Sequence, residues 1–350
     1  MRGLIFLACA LLLVFSQFKH TYDAVERYGY LTDIMPSDWR ATNVWLAAAD
    51  CALERGVWLA VCDQGKLVPM SERAIADDPG HALILGFWAI AKQSHATLVD
   101  VARLNTLVDT VGLVVLAGLL FALRAYVTSI ALLWLGPAQY LSWMGTSPHW
   151  AYIGLVSLAA VLPLALVARE MSLLSRRAAN LWIATGVVSL ALATLMREAI
   201  GLMGLMVTAA AIAVLLVRRH HLLPLLLVGA IAILAFTTPR WVVMARDAMF
   251  DMQPAQRLAT HGLSHTLYLG LGFVENRWGI RYDDDHGEAI ADKAGVVFCS
   301  PEYFQLMSKL YLERWLEDPA EVARIYVEKA WIMLGRPTIF PGPPFWVVLT

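Results

Sequence analysis

The sequence predicts an all-α polytopic membrane protein, with at least seven transmembrane helices and two extracytoplasmic segments that carry interfacial helices. Three observations lead there. Of 350 residues, 59% are hydrophobic and only 16% charged, where a soluble domain is about a quarter charged. The charges are also segregated: residues 102–236 hold 8 Arg, no Lys and 3 acids, 11 of the chain's 55 charges. Finally, seven apolar stretches meet or approach the roughly 20 residues that cross a hydrocarbon core: 3–18, 102–123, 127–145, 150–168, 181–196, 199–217 and 222–236. This composition excludes a disordered chain, a collagen-like repeat and a small disulfide scaffold. A net charge of -1 offers no global basic field for nucleic acid.

The first stretch follows Arg2 and runs to Phe18 without a small-x-small cleavage site, so it reads as an uncleaved signal anchor rather than a removed signal peptide. The division that follows is 1–18, first span; 19–101, extracytoplasmic; 102–236, six membrane helices; 237–330, extracytoplasmic; and 331–350, the start of a further membrane segment. That last segment is interrupted by Gly335, Pro337 and the Pro341–Pro344 cluster, and the apolar run Phe345–Leu349 reads as a span cut short, so the span count is a lower bound. Cations mark the cytoplasmic ends of short loops. With the N-terminus inside, Arg124, the Arg169/Arg176/Arg177 group and Arg218/Arg219 all fall in the cytoplasm, and both long polar segments fall outside. That orientation suits a bacterial inner membrane protein whose chemistry lies on the outer face.

Within 19–101, residues Ala41–Leu53 place Val44, Leu46, Ala47, Ala48, Cys51 and Ala52 around one side of a helix. Pro79 starts a second helix, His81–Lys92, with Leu83, Ile84, Phe87, Trp88 and Ile90 as its apolar surface. Both suit the membrane interface, where aromatic residues gather. Segment 237–330 reads as turns followed by two Pro-led helices, Pro301–Leu316 and Pro319–Met333. Cys51 and Cys62 are close enough in sequence for a local disulfide in an oxidising compartment, and equally compatible with two buried thiols.

One arrangement stands out among the polar residues. Ser37-Asp38-Trp39-Arg40 follows the first span and leads into the helix carrying Trp45-Leu46-Ala47-Ala48-Ala49. Asp77-Asp78-Pro79-Gly80-His81 opens the second helix, and Ala102-Arg103-Leu104-Asn105 enters the next span. In order and spacing, over roughly residues 1–240, this resembles the GT-C superfamily of membrane glycosyltransferases, such as the aminoarabinose transferases and protein O-mannosyltransferases. Those enzymes have an acid after the first membrane helix, a "PPL"-like helix start and an "aRL" entry into the next span. The resemblance implies transfer of a sugar from a polyprenyl-phosphate-linked donor to an extracytoplasmic glycan, lipid or protein acceptor. An acceptor hydroxyl or amide needs a carboxylate to orient it or take its proton. The departing carrier phosphate needs cations or a divalent metal, the one cofactor this chemistry leaves open.

Asp38 matches the family acid by position and is the candidate base; a helix N-cap is its structural alternative. Asp78 and His81, clustered with Asp77 at a helix start, are candidates to assist Asp38 in catalysis; capping is the alternative, since the dipole there stabilises carboxylates whatever their function. Arg103, at the hydrocarbon boundary, is a candidate phosphate ligand, against simple snorkelling to the interface. Asp109 lies about two turns inside a span, where acids face a partner or a cavity, and Asn105 shares its helix face. Arg197 and Glu198, at the outer end of the fifth span, either pair with each other or contact the carrier phosphate. His149 stands in the outer loop Gly145–His149, where many family members carry a second acid and this chain has none. The missing carboxylate leaves room for a non-catalytic relative. Glu275, Asn276, His261, His265 and the run Asp283-Asp284-Asp285-His286 invite a metal reading, but adjacent acids more often make a solvated turn. A transporter is the third reading; it calls for polar residues in several spans, and here the later spans are almost wholly apolar.

Overall fold

The computed structural model describes residues 2–16, 40–63, 65–73, 79–143, 152–218, 222–250, 252 and 262–335. They divide into two compact units, residues 1–70 with 78–253, and residues 71–77 with 254–350. The chain is helical apart from one small hairpin among the described residues. The helices are α1 (Arg2–Ser16), α2 (Arg40–Arg55), α3 (Met70–Arg73), α4 (Pro79–Lys92), α5 (Leu98–Ala122), α6 (Tyr126–Trp143), α7 (Tyr152–Glu170), α8 (Arg176–Met196), α9 (Glu198–Val217), α10 (Leu222–Phe236), α11 (Thr238–Phe250), α12 (Gly262–Gly270), α13 (Asp284–Ala294), α14 (Pro301–Glu317) and α15 (Pro319–Gly335).

Among the described residues, four helices are long and apolar enough to cross a bilayer, α5, α7, α8 and α9, and five if the bent pair α10–α11 counts as one span. This is compatible with an integral membrane protein and falls short of the seven spans expected. The stretch 3–18 appears as α1, 15 residues of which are described, and 127–145 as α6; neither is among the four. The bend of 49° between α10 and α11 has a local cause. Pro239, the second residue of α11, has no N–H to carry the helical ladder back to the Ala235 carbonyl. The Thr238 hydroxyl donates to that carbonyl instead, at 2.7 Å.

The membrane helices meet through small residues. A Cβ on Gly154 of α7 would lie 2.7 Å from the Asp109 backbone nitrogen of α5, and one on Gly186 of α8 would lie 2.6 Å from Leu162 Cα of α7. Lipid chains are as apolar as leucine, so close backbone approach and interhelical hydrogen bonds hold such helices together. The buried Ser129 hydroxyl of α6 supplies one such bond, donating to the Ala117 carbonyl of α5 at 2.7 Å. Ala10 and Leu13 of α1 pack with Leu113 and Ala117 of α5, Leu133 of α6 and Ile153 of α7.

The all-helical expectation misses one element. Strands β1 (Ala60–Asp63) and β2 (Lys66–Pro69) form an antiparallel hairpin, with Val61 opposite Val68. Cys51 of α2 and Cys62 of β1 form a disulfide, which settles the two readings open in the sequence. Arg246 of α11, buried, donates from Nη1 to the Leu59 carbonyl at 2.6 Å and from Nε and Nη2 to Asp247. Phe250 and Met252 rest on the same Cys51–Val57–Ala60 cluster. The 237–250 stretch, expected as turns in a polar segment, is thus a helix docked on the hairpin.

In the second unit, Leu271, Tyr303, Met307, Val322 and Ile325 form a fully buried core. The segment 262–294, expected as turns, contains α12 and α13. Its connecting turn is organised by Asn276, which donates from Nδ2 to the Ile280 carbonyl at 2.8 Å and accepts at Oδ1 from the Ile280 N–H at 3.1 Å.

Candidate functional site

Helix α4 begins with Pro79, where a missing N–H costs nothing, and buries its first turn of Pro79, Gly80 and His81. Gly80 sits against the last turn of α8: a Cβ there would lie 2.7 Å from the Leu195 carbonyl oxygen and 2.9 Å from Met196 Sδ. Any side chain at position 80 would push the two helices apart. The next residue after Met196 is Arg197, extended at φ -158 and ψ 103, which closes α8 and opens α9. Glu198 follows as the first acid of α9. Both are half-buried. Helix α4 therefore delivers its N-terminal end beside the Arg197–Glu198 turn, although the two are more than a hundred residues apart in sequence.

His81 is fully buried and held on two sides. Its ring stacks on Trp45 of α2, with centroids 4.1 Å apart and planes 7° from parallel. Its Nε2 hydrogen-bonds Asn105 Oδ1 of α5 at 3.0 Å. Three helices are tied through this one side chain. Asp109, one turn further along the Asn105 face, accepts a 2.6 Å hydrogen bond at Oδ1 from the Gly154 N–H. Gly154 is the third residue of α7, and N–H groups in a helix's first turn have no partner within it. Asp109 thus caps a neighbouring helix.

Arg103 is drawn to Asp100 at 3.4 Å, with its side chain 46% exposed. Asp100, 1% exposed, accepts two 3.1 Å bonds from Lys92 of α4 and, at 2.9 Å, the backbone N–H and hydroxyl of Thr97. This acid anchors the start of α5 and the end of α4, and no feature of the sequence singled it out. Asp38, Asp77, Asp78, His149 and His261 lie outside the described residues.

Between α7 and α9 runs a groove of about 370 Å³, lined only by apolar residues from Val156 to Val167 and from Ile200 to Ala211. Ile200 lies one turn after Arg197.

In the second unit, His265 is buried, with Nδ1 2.8 Å from the Tyr303 hydroxyl and Nε2 3.2 Å from Asp284 Oδ1. Tyr303 is fully buried, and burial pushes its phenol above the ordinary tyrosine range. The acidic run acts as a helix cap: Asp283 accepts from the His286 N–H at 2.6 Å, and Asp284 and Asp285 follow in the first turn of α13. Burial and the neighbouring Arg281 hold the His286 imidazole below its ordinary pKa. Among the described residues, no three His, Cys, Asp or Glu side chains group to hold a metal ion. Gly272 packs on the Arg281 backbone, where a Cβ would lie 2.5 Å from its carbonyl carbon. Gly270-Leu271-Gly272 is a close-packed turn at the end of α12.

Comparison with known proteins returns no matching family model, no matching curated protein and no matching solved structure.

Proposed function

We propose that this chain is an integral membrane glycosyltransferase of the GT-C kind, which moves a sugar from a polyprenyl-phosphate-linked donor to an extracytoplasmic acceptor. The observation that carries the reading is the meeting of the α4 N-terminus with the Arg197–Glu198 turn. Two segments singled out for different reasons, one for its acids and one for its intramembrane-edge cation, come to one place at the end of a membrane helix. The chain adjoining Pro79 carries Asp78, and Asp38 lies two residues before α2. In this reading Asp38 is the base or orienting acid, and Asp78 assists it. Arg197 neutralises the departing phosphate, helped by the positive end of α9, with Arg103 as a second cation. His81 and Asp109 position helices rather than touch substrate.

We read α1 and α6 as completing a seven-helix bundle with α5, α7, α8, α9 and the bent α10–α11 pair. The Cys51–Cys62 disulfide supports an oxidising, extracytoplasmic location for α2 and the hairpin, in line with the cytoplasmic arginines.

The test is transfer of labelled sugar by the full chain in proteoliposomes, from a panel of polyprenyl-phosphate sugars. Turnover lost in Asp38→Asn and Arg197→Gln but kept in Asp109→Asn supports the reading. Turnover unchanged in Arg197→Gln overturns the site. A second reading, a non-catalytic assembly protein on the same scaffold, is favoured by the engagement of His81 and Asp109 in helix–helix bonds. It predicts no turnover with any donor.

A further inference from the structure

Arginines gather where α1, α6 and α8 begin and α5 and α7 end. Arg2 of α1 lies over the Tyr126 ring of α6, 4.7 Å from its centroid. Tyr126 meets Phe121 of α5 edge-on at 5.0 Å, and Phe121 lies 4.8 Å from Phe6 of α1. Arg124 follows Phe121 within a turn. Its neighbour Leu123 and Leu174 of the α7–α8 turn pack on one cluster with Ala165 of α7. Arg169 stands one turn beyond Ala165, and Arg176 and Arg177 follow closely on Leu174. Residues far apart in sequence thus form one cationic end of the helix bundle. Arg2, Arg124, Arg176 and Arg177 are exposed there, and Arg169 is half-buried. Among the described residues, Glu170 is the one acid at this end, 3.8 Å from Arg169.

Local structure does not account for these cations. Arg176 and Arg177 occupy the first turn of α8, which carries no acid, and the helix dipole disfavours positive charge at that end. Like charges on neighbouring helix ends also repel. Among the described residues, Arg124, Arg176 and Arg177 have no ion-pair partner. A part in setting orientation during insertion leaves their charge unbalanced in the folded chain.

The apolar surroundings select the partner. Leu4 of α1, Val127 of α6 and Leu181 of α8 are exposed within about a turn of these arginines, and Met171 and Leu173 are exposed between Arg169 and Arg176. A soluble anion or an acidic protein would leave that surface uncovered. An anionic lipid supplies a phosphate for the guanidinium forks and hydrocarbon for the apolar residues beside them. We infer that this arginine end binds the headgroups of anionic glycerophospholipids, chiefly through Arg124, Arg176 and Arg177. The bound headgroups relieve the repulsion and brace the five helix ends. The inference does not rest on the transferase reading, because Arg103 and Arg197 take no part and lipid retention is measured without turnover.

The experiment is native mass spectrometry of the detergent-solubilised full chain, titrated with dimyristoyl phosphatidylglycerol or dimyristoyl phosphatidylcholine. A cation beside a headgroup is worth about fivefold in affinity, so three give phosphatidylglycerol a preference of about a hundredfold. The combined Arg124→Gln, Arg176→Gln and Arg177→Gln variant is expected to bind both lipids about equally, with helicity by circular dichroism unchanged. Arg240→Gln removes the same charge from an exposed residue of α11, beyond the far end of α10, and is expected to keep the preference. Equal binding of both lipids by the wild type overturns the inference and needs no variant to fold. A preference kept in the folded triple variant, or lost as fully in Arg240→Gln, overturns the assignment to this end. Displacement of phosphatidylglycerol by millimolar inorganic phosphate overturns the lipid as the partner.

Discussion

Replacing Gly154 with alanine probes the contact on which the membrane bundle turns. The new Cβ would lie 2.7 Å from the Asp109 backbone nitrogen, where ordinary contact starts near 3.4 Å. Asp109 Cα and the Val108 carbonyl oxygen lie closer still; all are backbone, so relief requires α5 and α7 to part by more than about 0.7 Å. Overpacking of this kind costs about 1–3 kcal/mol. Parting the helices also stretches the 2.6 Å bond from the Gly154 N–H to Asp109, worth about 1 kcal/mol for a buried acceptor. Against this, alanine gains at most about 1 kcal/mol of helix propensity over glycine. The net loss is about 1–3 kcal/mol. Gly229→Ala of α10 is the control with the opposite sign. Its Cβ would meet only Ile212 Cδ1 at 3.4 Å, so the propensity gain of about 0.5–1 kcal/mol stands. The assay is reversible unfolding in mixed micelles followed by circular dichroism. A Gly154→Ala protein within about 0.5 kcal/mol of wild type, or one no less stable than Gly229→Ala, refutes the close-packing argument.

Asp109→Asn keeps an acceptor oxygen for the Gly154 N–H and is expected to cost less than about 1 kcal/mol, whereas Asp109→Ala leaves that N–H unmet and costs about 1–3 kcal/mol, in the same unfolding assay. The Cys51–Cys62 disulfide closes a sequence separation of 11. Chain entropy then predicts that Cys51→Ser with Cys62→Ser lowers stability by about 3 kcal/mol, visible as faster limited proteolysis across 56–69. Alkaline titration reads Tyr303. Burial raises its folded pKa, so the folded chain keeps a proton that the unfolded chain releases near pH 10. This contribution is intact below about pH 10 and declines as pH rises further. The tyrosinate absorbance assigned to Tyr303 by a Tyr303→Phe difference spectrum should therefore appear only with unfolding, and reversible ionisation in the folded chain would contradict its burial.

The helices were legible because apolar period and length are local signals. Pro79, Pro301 and Pro319 mark helix starts correctly, whereas the acid run at Asp283, read as a metal site or a solvated turn, is the N-terminal cap of α13. Helices α11, α12 and α13 were missed because they are short and mixed in polarity. The hairpin was missed because its strands are four residues each, fastened by a disulfide and by Arg246, which lies 187 residues from Leu59 in sequence. At the site, the sequence named His81, Asn105, Asp109, Arg197 and Glu198 but not their partners. Trp45 beneath His81 and Gly154 opposite Asp109 follow from tertiary packing, which no local period encodes. Gly80 lies against the last turn of α8, and nothing in the residue type or its position after Pro79 announces that contact. What it approaches is visible only in three dimensions.

The position of the lipid-phosphate donor is the point on which the transferase reading stands most directly. Photocrosslinking with a diazirine-bearing polyprenyl phosphate, on the full chain in bilayers and read by peptide mass spectrometry, locates it. The expected label falls on the peptides spanning 79–82 and 195–201 and is reduced in Arg197→Gln. Label confined to other helices of a folded chain would contradict that reading.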